Sequence, residues 1–181
     1  MEASQIKYIV IHCTAGWTNA AGVQNYFTRP KSKGGRGWRT GGYHRIIEPD
    51  GTIKEMYPFS RVTNGVAGYN TECIHISYVG GVNYEQYKKG KYIAEDTRTS
   101  AQKVAIESCI IEAINWLQEN GKDIYQDLMV LGHRDFSDDK DGSGVIESWE
   151  RIKECPCFDA IPEYEFYNSN NGKKEVLPSN R

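Results

Sequence analysis

Residues 6 to 13, IKYIVIHC, are apolar on both alternations of an extended chain, and nothing else in the sequence restricts the fold as much. A strand with one wet face alternates apolar and polar side chains. A strand that is apolar throughout must be covered on both sides, as in the centre of a sheet packed between helices. DLMVLGH, residues 127 to 133, has the same character, and CIHISYVGG, residues 73 to 81, is a third strand. YHRIIEPDGTIKEMYP, residues 43 to 58, splits around Pro49-Asp50-Gly51 into two short strand-forming runs, a hairpin pattern. A long helix is predicted after Thr99. Thr99 and Gln102 have capping-box spacing, apolar residues recur at Ile106, Ile110, Ala113, Ile114 and Leu117, and Gly121 is a natural stop. A shorter helix can start in NAAGVQNYF and is ended by Pro30 and the glycines at 34, 35 and 37, which leave a basic loop. The expected class is α/β, with helices packed on the faces of a sheet.

At 181 residues the chain can bury one substantial core but not two, so one domain is expected over residues 1–165, followed by a polar tail, 166–181, expected to be partly disordered. Lys and Arg number 22 against 24 Asp and Glu, for a formal net charge of -2. That balance provides no electrostatic reason to expect nucleic acid or an anionic membrane as partner. No stretch has the length of a membrane span. No signal peptide is visible, because MEASQIK leads straight into a short apolar run; the expected starting place is a cytoplasm, or an outer compartment if a leader has been trimmed. Five cysteines, an odd number and not dense, suit free thiols or a metal ligand better than a disulfide scaffold.

Two of the apolar strands end in histidine. If YIVIH and LMVLGH lie parallel and adjacent, His12 and His133 project together from the carboxyl edge of the sheet, where α/β folds bind ligands. A catalytic zinc takes three protein ligands, and Cys155 in KECPCFD is the candidate third, on a loop stiffened by Pro156. The alternative for each residue is structural: a hydrogen-bonded strand-end histidine, or a cysteine packed as a small hydrophobe.

IVIHCTAG, GYHRIIEPDG, GYNTECIHISYVGG, GHRD and KECPCFD, in this order, resemble the zinc-dependent N-acetylmuramoyl-L-alanine amidases of the type-2 family, which include bacteriophage lysozyme-type amidases and peptidoglycan recognition proteins. The resemblance spans about residues 6 to 162. It implies a central mixed sheet flanked by helices, with a zinc site in an open groove at the sheet edge. It also implies Zn2+ on His12, His133 and Cys155, with Tyr43 and Lys153 as catalytic residues. The implied reaction is hydrolysis of the amide between N-acetylmuramic acid and L-alanine in peptidoglycan or muropeptides, as in an endolysin, by a protein expected to be monomeric. Zinc would activate water and polarise the carbonyl. Lys153 would face the developing oxyanion, and Tyr43 would bond the water or pass a proton to the leaving amine.

Several positions depart from the family pattern. Cys157 stands where phage enzymes tend to have serine and ranks second to Cys155 as a ligand. Cys13 should point to the opposite side of the sheet from His12. His44 reads as structural, and His75, where relatives usually carry glycine, as a core hydrogen-bonding residue. Gly65 and Val66 replace a frequent His-Ala pair. The loop 135–152, with Asp138, Asp139 and Asp141, reads as a solvated flap without EF-hand spacing. Trp17, Trp38 and Trp149 either line the groove or act as lids over the core. Two other functions compete: a non-catalytic peptidoglycan-binding domain, and a thiol peptidase pairing Cys13 or Cys157 with His133.

Overall fold

β1 (Tyr8–Cys13) lies inside a five-stranded sheet with all six residues buried, as two apolar alternations require. The computed structural model describes residues 1–169, and positions 170–181 of the expected tail lie outside the described residues. The other strands are β2 (Arg45–Ile47), β3 (Ile53–Glu55), β4 (Cys73–Tyr78) and β5 (Met129–Gly132), in the order β3-β2-β4-β1-β5. β1 is parallel to β4 and to β5, β2 is parallel to β4, and β3 is antiparallel to β2. The sheet is therefore mixed, and the fold is α/β as expected. The hairpin turns at Pro49-Asp50-Gly51: the Gly51 N–H donates to the Glu48 carbonyl at 2.9 Å, and Gly51 has φ +86°.

Five helices accompany the sheet among the described residues: α1 (Ala20–Thr28), α2 (Tyr84–Lys88), α3 (Ser100–Glu119), α4 (Ile124–Asp127) and α5 (Ala160–Glu163). α3 starts on the expected capping box. The Thr99 hydroxyl accepts from the Gln102 N–H at 3.0 Å, and the Gln102 side chain accepts from the Thr99 N–H at 3.1 Å. Its apolar stripe, Ala105, Ile106, Cys109, Ile110, Ala113 and Leu117, is buried in one cluster with Ile9, Ile11, Cys13, Ile74, Ile76 and Val130. The alternate residues Tyr8, Val10, Cys73, Met129 and Leu131 cluster with Val66 on the other face. Cys13 therefore packs on the α3 side, which leaves His12 on the opposite face. None of these helices is long and apolar enough to cross a membrane.

The segment after β5 returns to the sheet through an ion cluster. Arg98, its side chain 1% exposed, pairs with Asp96 at 2.8 Å and Glu163 at 2.6 Å, and its guanidinium lies 3.2 Å from the Phe158 ring centroid. Asn168 and Ser169, at the start of the expected tail, dock on the sheet. The Asn168 Oδ1 accepts from the Val130 N–H at 2.6 Å, and the Ser169 N–H donates to the Leu128 carbonyl at 2.9 Å. Arg98→Ala would leave two partly solvated carboxylates and an uncovered ring, so a loss of about 2 to 3 kcal/mol is expected. Urea unfolding at pH 7 measures it, and a wild-type midpoint would show that the cluster contributes nothing.

Candidate functional site

His12 and His133 reach the same point because β1 and β5 are parallel in a register that pairs Ile11 with Gly132. His12 is the fifth residue of β1, and His133 follows the last residue of β5 and opens a 3-10 turn, His133–Phe136. Their Nδ1 atoms are 3.2 Å apart, and both rings are buried. Cys155 arrives from a distant loop, its Sγ 3.7 Å from His12 Nδ1 and 3.2 Å from the Cys13 N–H that donates to it. Three further contacts hold that loop. The Arg134 N–H donates to the Cys155 carbonyl at 2.8 Å, the Tyr78 hydroxyl donates to the Pro156 carbonyl at 2.7 Å, and the Arg134 guanidinium pairs with Asp159. Gly132 permits the approach, because a Cβ there would collide with the Pro156 ring.

The ligand atoms of His12, His133 and Cys155 all lie within 4.8 Å of one another. Atoms bound at zinc–nitrogen and zinc–sulfur lengths around a tetrahedral centre stand roughly 3.3 Å (N to N) and 3.5 Å (N to S) apart. The 3.2 and 3.7 Å separations fit that donor set. Burial pushes the pKa of His12 well down, with His133 and His75 adding to the effect, and pushes that of His133 down to about 4, with Lys153 adding. Both rings are therefore neutral at pH 7 and offer lone pairs, as metal ligation requires.

Tyr43 lies beside this group, its ring centroid 5.0 Å from that of His12. Burial and the thiols of Cys155 and Cys13 hold its hydroxyl pKa above the ordinary tyrosine value, so Oη keeps its proton at neutral pH. Lys153 is exposed, two residues before Cys155. His133, Cys155, Tyr43 and Lys153 all line one cavity of about 800 Å³. A second cavity of about 440 Å³ shares His133, Lys153, Trp38 and Arg36 with the first and extends toward Tyr69 and Phe136. All five expected site residues thus meet at one place.

Of the three tryptophans considered, Trp38 lines the cavity, stacked on Phe27 at 5.2 Å. Trp17 instead donates its indole N–H to the Val82 carbonyl at 3.1 Å, and Trp149 is 60% exposed beside Lys140. Cys157 stands apart from the histidines: its Sγ is 3.7 Å from Cys13 Sγ and donates to the Gly81 carbonyl at 3.1 Å. Thiol contacts and burial raise both the Cys13 and Cys157 pKa values, which leaves neither as the thiolate a peptidase would need. In the flap, Asp139, Asp141 and Glu150 cluster, and Asp139 accepts the backbone N–H groups of Gly142, Ser143 and Gly144. His44 and His75 are buried and stay outside the ligand group. His75 makes a core hydrogen bond as expected, and its partner, His12, was not foreseen. Arg36, whose guanidinium lies over the Tyr26 and Trp38 rings, lines the cavity too; only the basic character of its loop hinted at it.

The family described as N-acetylmuramoyl-L-alanine amidase matches residues 2–156. The endolysin of Escherichia phage T7 is 32% identical over 174 residues, covering 96% of this chain and 90% of its own length. Among solved structures, the Ph2119 endolysin from a Thermus scotoductus MAT2119 bacteriophage superposes with a TM-score of 0.56 at 17% identity, covering 91% of this chain and 86% of that one. A Drosophila PGRP-LB point mutant in complex with tracheal cytotoxin superposes with a TM-score of 0.57 at 17% identity, covering 87% and 79%. These two structural likenesses bear on the fold.

Proposed function

The chain belongs to the N-acetylmuramoyl-L-alanine amidase family, and from that premise we propose that it is a zinc-dependent enzyme cutting the bond between the lactyl carbonyl of N-acetylmuramic acid and the first L-alanine of the peptidoglycan stem. That it is an amidase acting on peptidoglycan amides follows from the family and its endolysin relatives. One observation supports the metal reading above the rest: three ligand atoms from distant parts of the chain converge within 4.8 Å beside a large cavity. His12, His133 and Cys155 would hold the ion. Zinc bound there supplies Lewis acidity toward the scissile carbonyl and acidifies the attacking water.

The remaining steps fall to side chains of the chain itself. Tyr43, protonated at neutral pH, holds a proton at Oη that can be donated to the leaving amine nitrogen. Lys153 carries its cation on the same cavity wall, where it can stabilise negative charge growing on the carbonyl oxygen. The aromatic wall of Phe27 and Trp38 offers flat apolar surface to sugar or peptide. The catalytic unit expected over residues 1–165 would extend at least to Ser169, which docks on the sheet with Asn168, and would act as a monomer on the cell wall as an endolysin does.

Mass spectrometry of digested peptidoglycan is the direct test. Stem peptides with a free L-alanine amine are expected, and glycan strands left with lactyl carboxylates. Binding without turnover by zinc-loaded protein would instead identify a recognition domain, and a cut at any other bond would overturn the assignment. Lys153→Ala is expected to lower kcat by roughly 10²- to 10³-fold, and Tyr43→Phe by roughly 10²-fold, with KM little changed. Steady-state rates on a soluble muropeptide decide this, and wild-type kcat in either variant would remove that residue from the chemistry.

A further inference from the structure

We propose that His75 is a positioning residue for the metal centre: its Nδ1 accepts the Nε2 proton of His12 and so turns the His12 Nδ1 lone pair toward His133 and Cys155. The inference rests on the zinc reading above and concerns a residue outside the ligand set. β1 and β4 pair Val10 with His75 and His12 with Ser77, so His12 and His75 are diagonal neighbours on one face of the sheet. Their nitrogens, His12 Nε2 and His75 Nδ1, are 3.1 Å apart, and both residues are fully buried.

A neutral imidazole carries one proton. If it sat on His12 Nδ1, it would point at His133 Nδ1, 3.2 Å away, and no lone pair would face the ligand group. Holding it on Nε2 needs an acceptor in the core, where solvent cannot act as one, and His75 Nδ1 is placed for that role. His75 is fixed in turn. Its backbone N–H donates to His44 Nδ1 at 2.9 Å, and its ring stacks on that of His44 with centroids 5.9 Å apart and planes 18° apart. His44 is held by its own Nε2, which donates to the Arg61 carbonyl at 2.8 Å. Gly65 completes the seat: a Cβ there would collide with the His75 ring, so the ring occupies space that a side chain at position 65 would take. His75 does not line the cavity, which separates its role from contact with substrate.

Hydrogen-bond acceptors that hold the far nitrogen of a metal-ligating histidine typically affect metal affinity by about 10- to 100-fold. The experiment measures zinc affinity by chelator competition, alongside histidine 15N–1H multiple-bond spectra of metal-free and zinc-loaded protein. In the wild type, His12 is expected to carry its proton on Nε2 in both states. His75→Ala should bind zinc about 10- to 100-fold more weakly, and Gly65→Ala, which displaces the ring while keeping it, should weaken binding in the same direction. His75→Asn, whose Oδ1 can take the place of Nδ1 as acceptor, should recover most of the loss. Wild-type affinity in folded His75→Ala, no recovery in His75→Asn, or a His12 proton on Nδ1 would each overturn the inference. The tautomer spectrum of the wild type needs no variant to fold. If His12→Ala keeps full zinc affinity, the zinc reading itself fails; if His12→Ala loses zinc while His75→Ala does not, only the role of His75 fails.

Discussion

Cys155→Ala is expected to purify without zinc and to release no stem peptides, whereas Cys157→Ala keeps both properties. The two cysteines differ by two positions in sequence, but their surroundings separate them. Cys155 Sγ lies 3.7 Å from His12 Nδ1 within the three-residue ligand group, while Cys157 Sγ faces Cys13 and the Gly81 carbonyl. Removing Cys155 leaves two neutral imidazoles and no anionic ligand, a poor site for a divalent cation. Lewis-acid stabilisation of the transition state is worth several kcal/mol, so its loss lowers the rate by roughly 10³-fold or more. Elemental analysis of protein purified in zinc-supplemented buffer, together with turnover on cell walls, tests both variants at once. Stoichiometric zinc and normal turnover in Cys155→Ala would refute the ligand assignment. Loss of zinc in Cys157→Ala with retention in Cys155→Ala would transfer the third ligand to the other thiol.

The part of this site that could be read from the chain is the part written in local pattern. Full apolarity marked β1 as a covered strand, Thr99 and Gln102 marked the start of α3, and Pro49-Asp50-Gly51 marked the hairpin, because each signal arises within a few residues. His12 and His133 could be paired because both end apolar strands, and two such strands in an α/β sheet are often parallel neighbours. The link from His12 to His75 could not. It depends on the register that sets Val10 opposite His75, and a slip of one residue would send one ring to the α3 face. The clearance between Gly132 and Pro156, and the Arg98 cluster that returns the Cys155 segment to the core, are likewise long-range fits with no local signature. Arg36 reaches the cavity through the course of a loop and Phe27 through the placement of α1 over the sheet edge, neither of which local periodicity describes.

Metal-free protein is expected to lose stability steeply as pH falls from 7 to 5, and the cause is its histidines. The chain has four, and all four are buried with pKa values below the ordinary 6.5: His44 and His133 near 4, His12 and His75 well down, with burial the leading cause in each. A histidine whose folded pKa is depressed binds fewer protons folded than unfolded, so acid favours the unfolded chain. The effect is nearly absent at pH 7, grows once pH falls below 6.5, and levels off below about 4. For His44 and His133 together it amounts to about 4 kcal/mol by pH 5 and about 7 kcal/mol at the plateau, against a total stability of about 5 to 15 kcal/mol. For a domain of this size the first figure corresponds to a fall in Tm of roughly 10 °C between pH 7 and pH 5. Ordinary carboxylates stay largely ionised over that interval, which makes it a window on the imidazoles. Circular-dichroism melts of chelator-treated protein at pH 7, 6 and 5 measure the slope, and a flat Tm would mean that the rings are not buried as neutral groups. Saturating zinc should raise Tm at pH 7 and do so less at pH 5, because a proton on His12 or His133 takes the lone pair the ion needs. A zinc increment that stays constant with pH would place the ion away from these two imidazoles, even if the metal-free melts behave as expected.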